Sequence, residues 1–186
     1  MKQKNAIGII ELSSIYKGFE VQDIVLKATK VEKLVARTIC SGKYIIIVRG
    51  EIADVETCIR RAKESGGFAI INAIMVSNVD EKVFPALVGA TTLDSPEVDG
   101  MAVLETFSVA SAIKAADFAV KEAEITLLRI HIAMAVGGKG FIVLTGNIDA
   151  LKSALVPAVE YVKEEGLLAG YTLITHPHKD LLRDLI

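Results

Sequence analysis

The chain has 186 residues, 52% of them hydrophobic and 24% charged, with 21 Lys and Arg against 23 Asp and Glu and a formal net charge of -2. Counted with Gly and without Tyr, the apolar share is roughly 57% against an ordinary ~45–50%, while the charged share is ordinary, which excludes a disordered chain. The near-neutral balance leaves no basic footprint for nucleic acid, and the longest nearly apolar stretch, Phe68 to Val76 with Asn72 inside it, is far below the ~18 residues of a membrane-spanning helix.

After Met-Lys-Gln-Lys-Asn, the apolar run Ala6 to Ile10 is cut by Glu11, so the N-terminus does not read as a secretory signal. This points to a cytosolic protein whose two cysteines, Cys40 and Cys58, are reduced. Ile7 to Leu12 reads as a short strand. Ser13 to Val31 follows with Phe19, Ile24, Leu26 and Ala28 on a helix-compatible pattern. Lys33 to Cys40 and Lys43 to Arg49 predict a hairpin around Ser41-Gly42, where Gly supplies the positive φ of a tight turn. Asp54 to Ser65 puts Val55, Ile59 and Ala62 on one helix face, Gly66-Gly67 ends it, and Phe68 to Val76 predicts the last strand. Gly89 to Gly100 is a turn-rich linker.

The chain is then written a second time. Ala6-Ile-Gly-Ile-Ile-Glu11-Leu matches Gly100-Met-Ala-Val-Leu-Glu105-Thr, and Asp23 with Lys27 falls on Asp117 with Lys121. Ser41-Gly42-Lys43 falls on Gly137-Gly138-Lys139, with two extra residues before the second turn. The later helix, Asp149 to Glu165, counts four residues longer between its flanking glycines, and Pro157 inside it should kink the helix or mark its true start. The expected architecture is α/β, an α+β sandwich. It comprises domain 1 at 5–88, a linker at 89–99 and domain 2 at 100–186, each a small, mostly antiparallel sheet with flanking helices. A unit of about 90 residues is marginal alone, and two similar copies can imitate neighbouring subunits of a ring.

Ala6-Ile-Gly-Ile-Ile-Glu11, the Asp23…Lys27 helix, Ile39-Cys-Ser-Gly-Lys43, Val48-Arg-Gly50-Glu-Ile52 and their second-copy partners, ending in Ile174-Thr-His-Pro-His178, resemble the bacterial microcompartment (BMC) shell domain, twice over. Within that family the chain is similar to the tandem-domain shell proteins of the propanediol-utilisation type. The resemblance implies a non-enzymatic homotrimer shaped like a hexamer, in the shell of a microcompartment, tiling with other BMC shell proteins. It implies a central pore lined by both hairpin turns, through Ser41, Gly42, Gly137 and Gly138. It makes Lys27 and Lys121 the tile-edge lysines. It places Cys40 where three chains hold an iron–sulfur cluster, of the [4Fe–4S] type, with three Cys40 thiolates and one non-Cys ligand, to exchange electrons or clusters with a redox enzyme. A thiolate cluster normally takes four protein ligands, so one Cys cannot hold it within a single chain, whereas three copies on the axis that the resemblance implies supply three thiolates and leave one iron for a ligand that is not Cys.

Other readings stand beside these. Cys40 would otherwise be a buried thiol, a plain pore thiol or a zinc ligand, and the pore would then pass small metabolites without a cluster. From another class, the chain would be a regulatory module binding a ligand between its two α/β domains. Cys58 reads as a small core hydrophobe and His176-Pro177-His178 as a surface turn. His131 reads as facing solvent or a subunit boundary, and Glu11 and Glu105 as structural ion pairs. Gly137-Gly-Lys-Gly140 lacks the Ser or Thr of a phosphate-binding P-loop, so a pore-side hairpin turn is the better reading.

Overall fold

The computed structural model describes residues 5–93, 98–132 and 139–183, and only the backbone of Ser41 and Arg183. The chain divides into two compact units between Val79 and Asp80.

The first unit runs β1 (Ala6–Leu12), α1 (Ile15–Ala28), β2 (Glu32–Ile39), β3 (Lys43–Gly50), α2 (Ile52–Gly66) and β4 (Ile70–Val76). Its sheet has the order β2-β3-β1-β4, antiparallel throughout. One face carries Ile10 and Leu12 of β1 and Ile46 and Val48 of β3 against Val21 and Val25 of α1 and Val55, Cys58 and Ala62 of α2. The alternate residues Ile7, Ile9, Ile45 and Ile47 lie on the other face and are at most 2% exposed. Burial on both faces explains why Tyr44 to Val48 shows no apolar–polar alternation. Each fully buried Ile contributes about 1.5–3 kcal/mol.

The second unit repeats the plan. It contains α3 (Val83–Val88), β5 (Gly100–Thr106), α4 (Val109–Glu122), β6 (Thr126–Ile132), β7 (Gly140–Gly146), α5 (Ile148–Glu164), β8 (Leu168–Thr175) and α6 (Lys179–Arg183). Its antiparallel sheet has the order β6-β7-β5-β8. Beneath the helix-free face, Leu182 of α6 packs with Met101, Leu128 and Val143. The short helix α3 packs against β6 and α4, so residues 80–88, which the sequence reading attached to the first domain, lie in the second unit. The Asp117 carboxylate accepts the Asp80 N–H at 2.8 Å and pins the entry to α3.

A size exchange shows how the repeat was kept packed. A Cβ on Gly18 would come within 2.4 Å of the Tyr44 ring, so only glycine lets α1 sit on Tyr44, whose hydroxyl donates to Gln22 at 2.7 Å. At the matching places the helix carries Ala112 and the strand Gly140, and a Cβ on Gly140 would meet that of Ala112 at 2.9 Å. Large and small have changed sides.

Several details depart from the sequence reading. Cys40 is the first residue of the hairpin turn, not the last of the strand. Phe68 lies fully exposed in a 3-10 turn over Gly67–Ala69, before β4 begins. Pro157 does not start α5, which has already run from Ile148 and continues to Glu164. The insertion beside α5 is two residues and not four. Ala73 pairs with Ile10 and Tyr171 with Leu104, an offset of 98 between the last strands, against 96 at Gly50 and Gly146.

Candidate functional site

The β2–β3 hairpin closes in three residues. Ile39 pairs with Lys43 across Cys40-Ser41-Gly42, and Gly42 takes φ +71° at the third position. This is a three-residue hairpin loop with a left-handed closing residue. A Cβ on Gly42 would meet nothing within 4 Å, so its backbone angle, not crowding, calls for glycine there. The turn puts the half-buried Cys40 at the hairpin tip.

The base of the turn is fixed electrostatically. Lys43 Nζ donates to Glu11 of β1 at 2.9 Å. In the second unit Lys139 Nζ donates to Glu105 of β5 at 3.1 Å and lies 5.3 Å from the Phe107 ring centroid. Glu11 and Glu105 are therefore structural partners of the lysines that leave each hairpin. The tip of the second hairpin, with Gly137 and Gly138, lies outside the described residues.

Lys27 and Lys121 occupy matching places in the last turns of α1 and α4, where a cation suits the helix dipole. Each donates to the Asp four residues earlier, Asp23 and Asp117, at 2.6 Å. The Lys27 side chain is largely exposed, whereas Asp117 is buried under the entry to α3.

The second thiol is of another kind. Cys58 is wholly enclosed in the first core, and burial pushes its pKa up to about 12, so it stays protonated and is no thiolate ligand. His131 stacks on Phe141, its cross-strand partner, at 4.7 Å. His178 accepts the Asp180 N–H through Nδ1 at 3.3 Å and so caps α6. Among the described residues no three of His, Cys, Asp and Glu converge to hold a metal ion. No helix described is long and apolar enough to cross a membrane.

The relation between α3 and α6 escaped the sequence reading. Its signal is Val83-Phe-x-x-Leu-Val88 against Leu181-Leu-x-x-Leu-Ile186, at the offset of 98 that also relates β4 to β8.

Comparison with known proteins matches the BMC domain to residues 6–79 and again to 101–177. The chain is 36% identical over 181 residues to the bacterial microcompartment shell protein PduT of Citrobacter freundii, covering 97% of both. A microcompartment protein of Desulfitobacterium hafniense has a crystal structure that superposes with a TM-score of 0.93 at 35% identity, covering 97% of this chain and 99% of that one. A fused, permuted hexameric shell protein of the RMM microcompartment shares the fold, with a TM-score of 0.61 at 19% identity over 88% of this chain and 84% of that one.

Proposed function

This chain belongs to the BMC-domain family, as a shell protein of a bacterial microcompartment with two domains in tandem, and from that premise we propose that three copies form a pseudohexameric tile whose axis holds an iron–sulfur cluster on Cys40. The observation that carries the reading is the placement of one half-buried thiol per chain at a hairpin tip, with Met134, a residue without a thiol, as its sequence counterpart in the second copy.

The donor set fits a cluster only across chains. Among the described residues no group of three or more His, Cys, Asp and Glu is placed to hold a metal ion within one chain, and Cys58 is sealed in the core. Three hairpin tips around an axis supply three thiolates and leave one iron for a non-Cys ligand. Once bound, the cluster would supply one-electron chemistry at the shell. The chain's own task is to hold the thiol steady, which the Lys43–Glu11 pair and the left-handed Gly42 do. The reading is structural and electron-carrying rather than catalytic, with other shell proteins as neighbours and a redox enzyme as exchange partner. Lys27 and Lys121 would meet the adjoining tiles, and the two hairpin tips, through Ser41, Gly42, Gly137 and Gly138, would line the pore.

Anaerobic reconstitution with iron and sulfide tests it. The expected result is about four iron and four sulfide per three chains, with an electron paramagnetic resonance signal on reduction. Cys40→Ser should lose both and Cys58→Ala should keep them. Equal iron uptake by Cys40→Ser would overturn the site, and a tile that takes up no cluster would leave the pore as a path for small metabolites.

A further inference from the structure

We propose that the cleft between α3 and β6 of the second unit binds a small carboxylate carrying a short hydrocarbon chain. The site uses neither cysteine, and it stands whether or not Cys40 holds a cluster.

The cleft is built by a fixed entry and a sharp exit. On the entry side, the Asp117 carboxylate of α4 accepts the Asp80 N–H at 2.8 Å, and the Asp80 side chain accepts the Lys82 N–H at 2.9 Å. On the exit side, α3 stops at Gly89, which takes φ +72°, and the Ala90 N–H donates to the Pro85 carbonyl at 2.9 Å. This left-handed stop turns the chain back along the short helix. Thr91 thereby comes to line the same cleft as Lys82 and Pro85, with Ile125, Thr126 and Leu127 as the opposite wall. The space between them is about 370 Å³, at the small end of ligand sites.

Its lining is of two kinds. Ile125 and Leu127, at most 5% exposed, make an apolar floor that Pro85 extends. Lys82 and Thr126 are exposed at the rim, and the Lys82 ammonium has no ion-pair partner among the described residues. The Thr91 hydroxyl oxygen is shielded from solvent and has no hydrogen-bond partner among the described residues, an unfavourable state for a hydroxyl. Because it makes no bond, a turn about χ1 that brings it to the cleft breaks none.

These groups select the ligand class. An ammonium and two hydroxyls call for an acceptor with several lone pairs, which a carboxylate supplies. The apolar floor calls for a hydrocarbon chain, which an inorganic anion lacks. A neutral alcohol would cover the floor and leave the ammonium without a counter-charge. The first unit does not repeat the arrangement. At the places of Ile125, Thr126 and Leu127 its strand carries Val31, Glu32 and Lys33, so a fixed carboxylate stands where Thr126 would meet the anion.

Butyrate is the probe, titrated against the full chain by saturation-transfer nuclear magnetic resonance, with n-butanol and formate as the chain without the charge and the charge without the chain. Butyrate should bind at least about tenfold more tightly than either. Lys82→Met should weaken butyrate binding about tenfold and Thr91→Val about fivefold. Thr91→Val should also raise the urea midpoint of the ligand-free chain, because it removes a shielded, unpaired hydroxyl, and a weaker affinity in a more stable variant is no folding defect. Formate binding as tightly as butyrate would reduce the site to a nonspecific ion effect and overturn it. So would no butyrate binding at tens of millimolar, equal binding by Lys82→Met, or a Thr91→Val midpoint that fails to rise.

Discussion

Cys40 and Cys58 differ in surroundings more than in chemistry. One sits half-buried on a three-residue turn, the other on the buried face of α2 with no exposed surface. Burial raises the Cys58 pKa to about 12 from an unperturbed 9.0, so the folded chain keeps a proton that the unfolded chain loses once pH passes 9. A group held protonated in this way contributes stability that is fully present below pH 9 and is lost as pH rises toward 12. The slope is at most one proton, about 1.4 kcal/mol per pH unit. Burial raises Tyr44 and Tyr161 as well, and they add to the same alkaline loss, so the measurement is a difference. The second core carries Ala154 at the place matching Cys58, also fully buried, which makes Cys58→Ala the fitting replacement. Between pH 9 and 11, urea unfolding of Cys58→Ala should show a shallower fall in stability than the unmodified chain. Parallel falls would mean that the thiol ionises in the folded state.

Among the elements, α5 carries a conflict that its packing overrides. Pro157 removes the N–H that would bond the Ser153 carbonyl, and its ring crowds that carbonyl, at a cost of about 3 kcal/mol in a helix interior. The helix persists because Leu151, Ala154, Leu155, Ala158 and Val159 bury one face along its length. Pro157→Ala should therefore raise the urea midpoint at matched protein concentration, by about 1–3 kcal/mol in stability. An unchanged midpoint would show that the helix has already relaxed around the ring. Among the described residues, periodicity and glycine placement made the eight strands, the four long helices and the Gly42 turn legible in the sequence. So was the pairing of Glu11 and Glu105 with structural partners. The two short helices were not, because five or six residues with Pro85 among them give no period to read. The insertion was miscounted because a glycine marks a positive-φ stop and not a register. Gly67 and Gly166 are the residues with φ near +60°, yet the strands beyond them are set by pairing with β1 and β5. Cys40 was legible only as the end of a strand, because the apolar run leading to it carries no stop before Ser41-Gly42; its ligand role rests on what three chains would bring together, which no single chain displays.

For the whole molecule, the question is which force holds copies together. Each unit has an apolar core that salt leaves intact. With a net charge of only -2 over 186 residues, long-range repulsion between copies is small, so added salt has little repulsion to relieve. The dominant effect of screening is then the loss of local attraction, as the Debye length shortens from roughly 10 Å at 0.1 M to about 3 Å at 1 M. Raising sodium chloride over that range should weaken association several-fold in sedimentation while the far-ultraviolet circular dichroism of the chain stays constant. Association that tightens with salt would assign the contact between copies to apolar surface, with the exposed Tyr16 and Phe19 of α1 as the first residues to change.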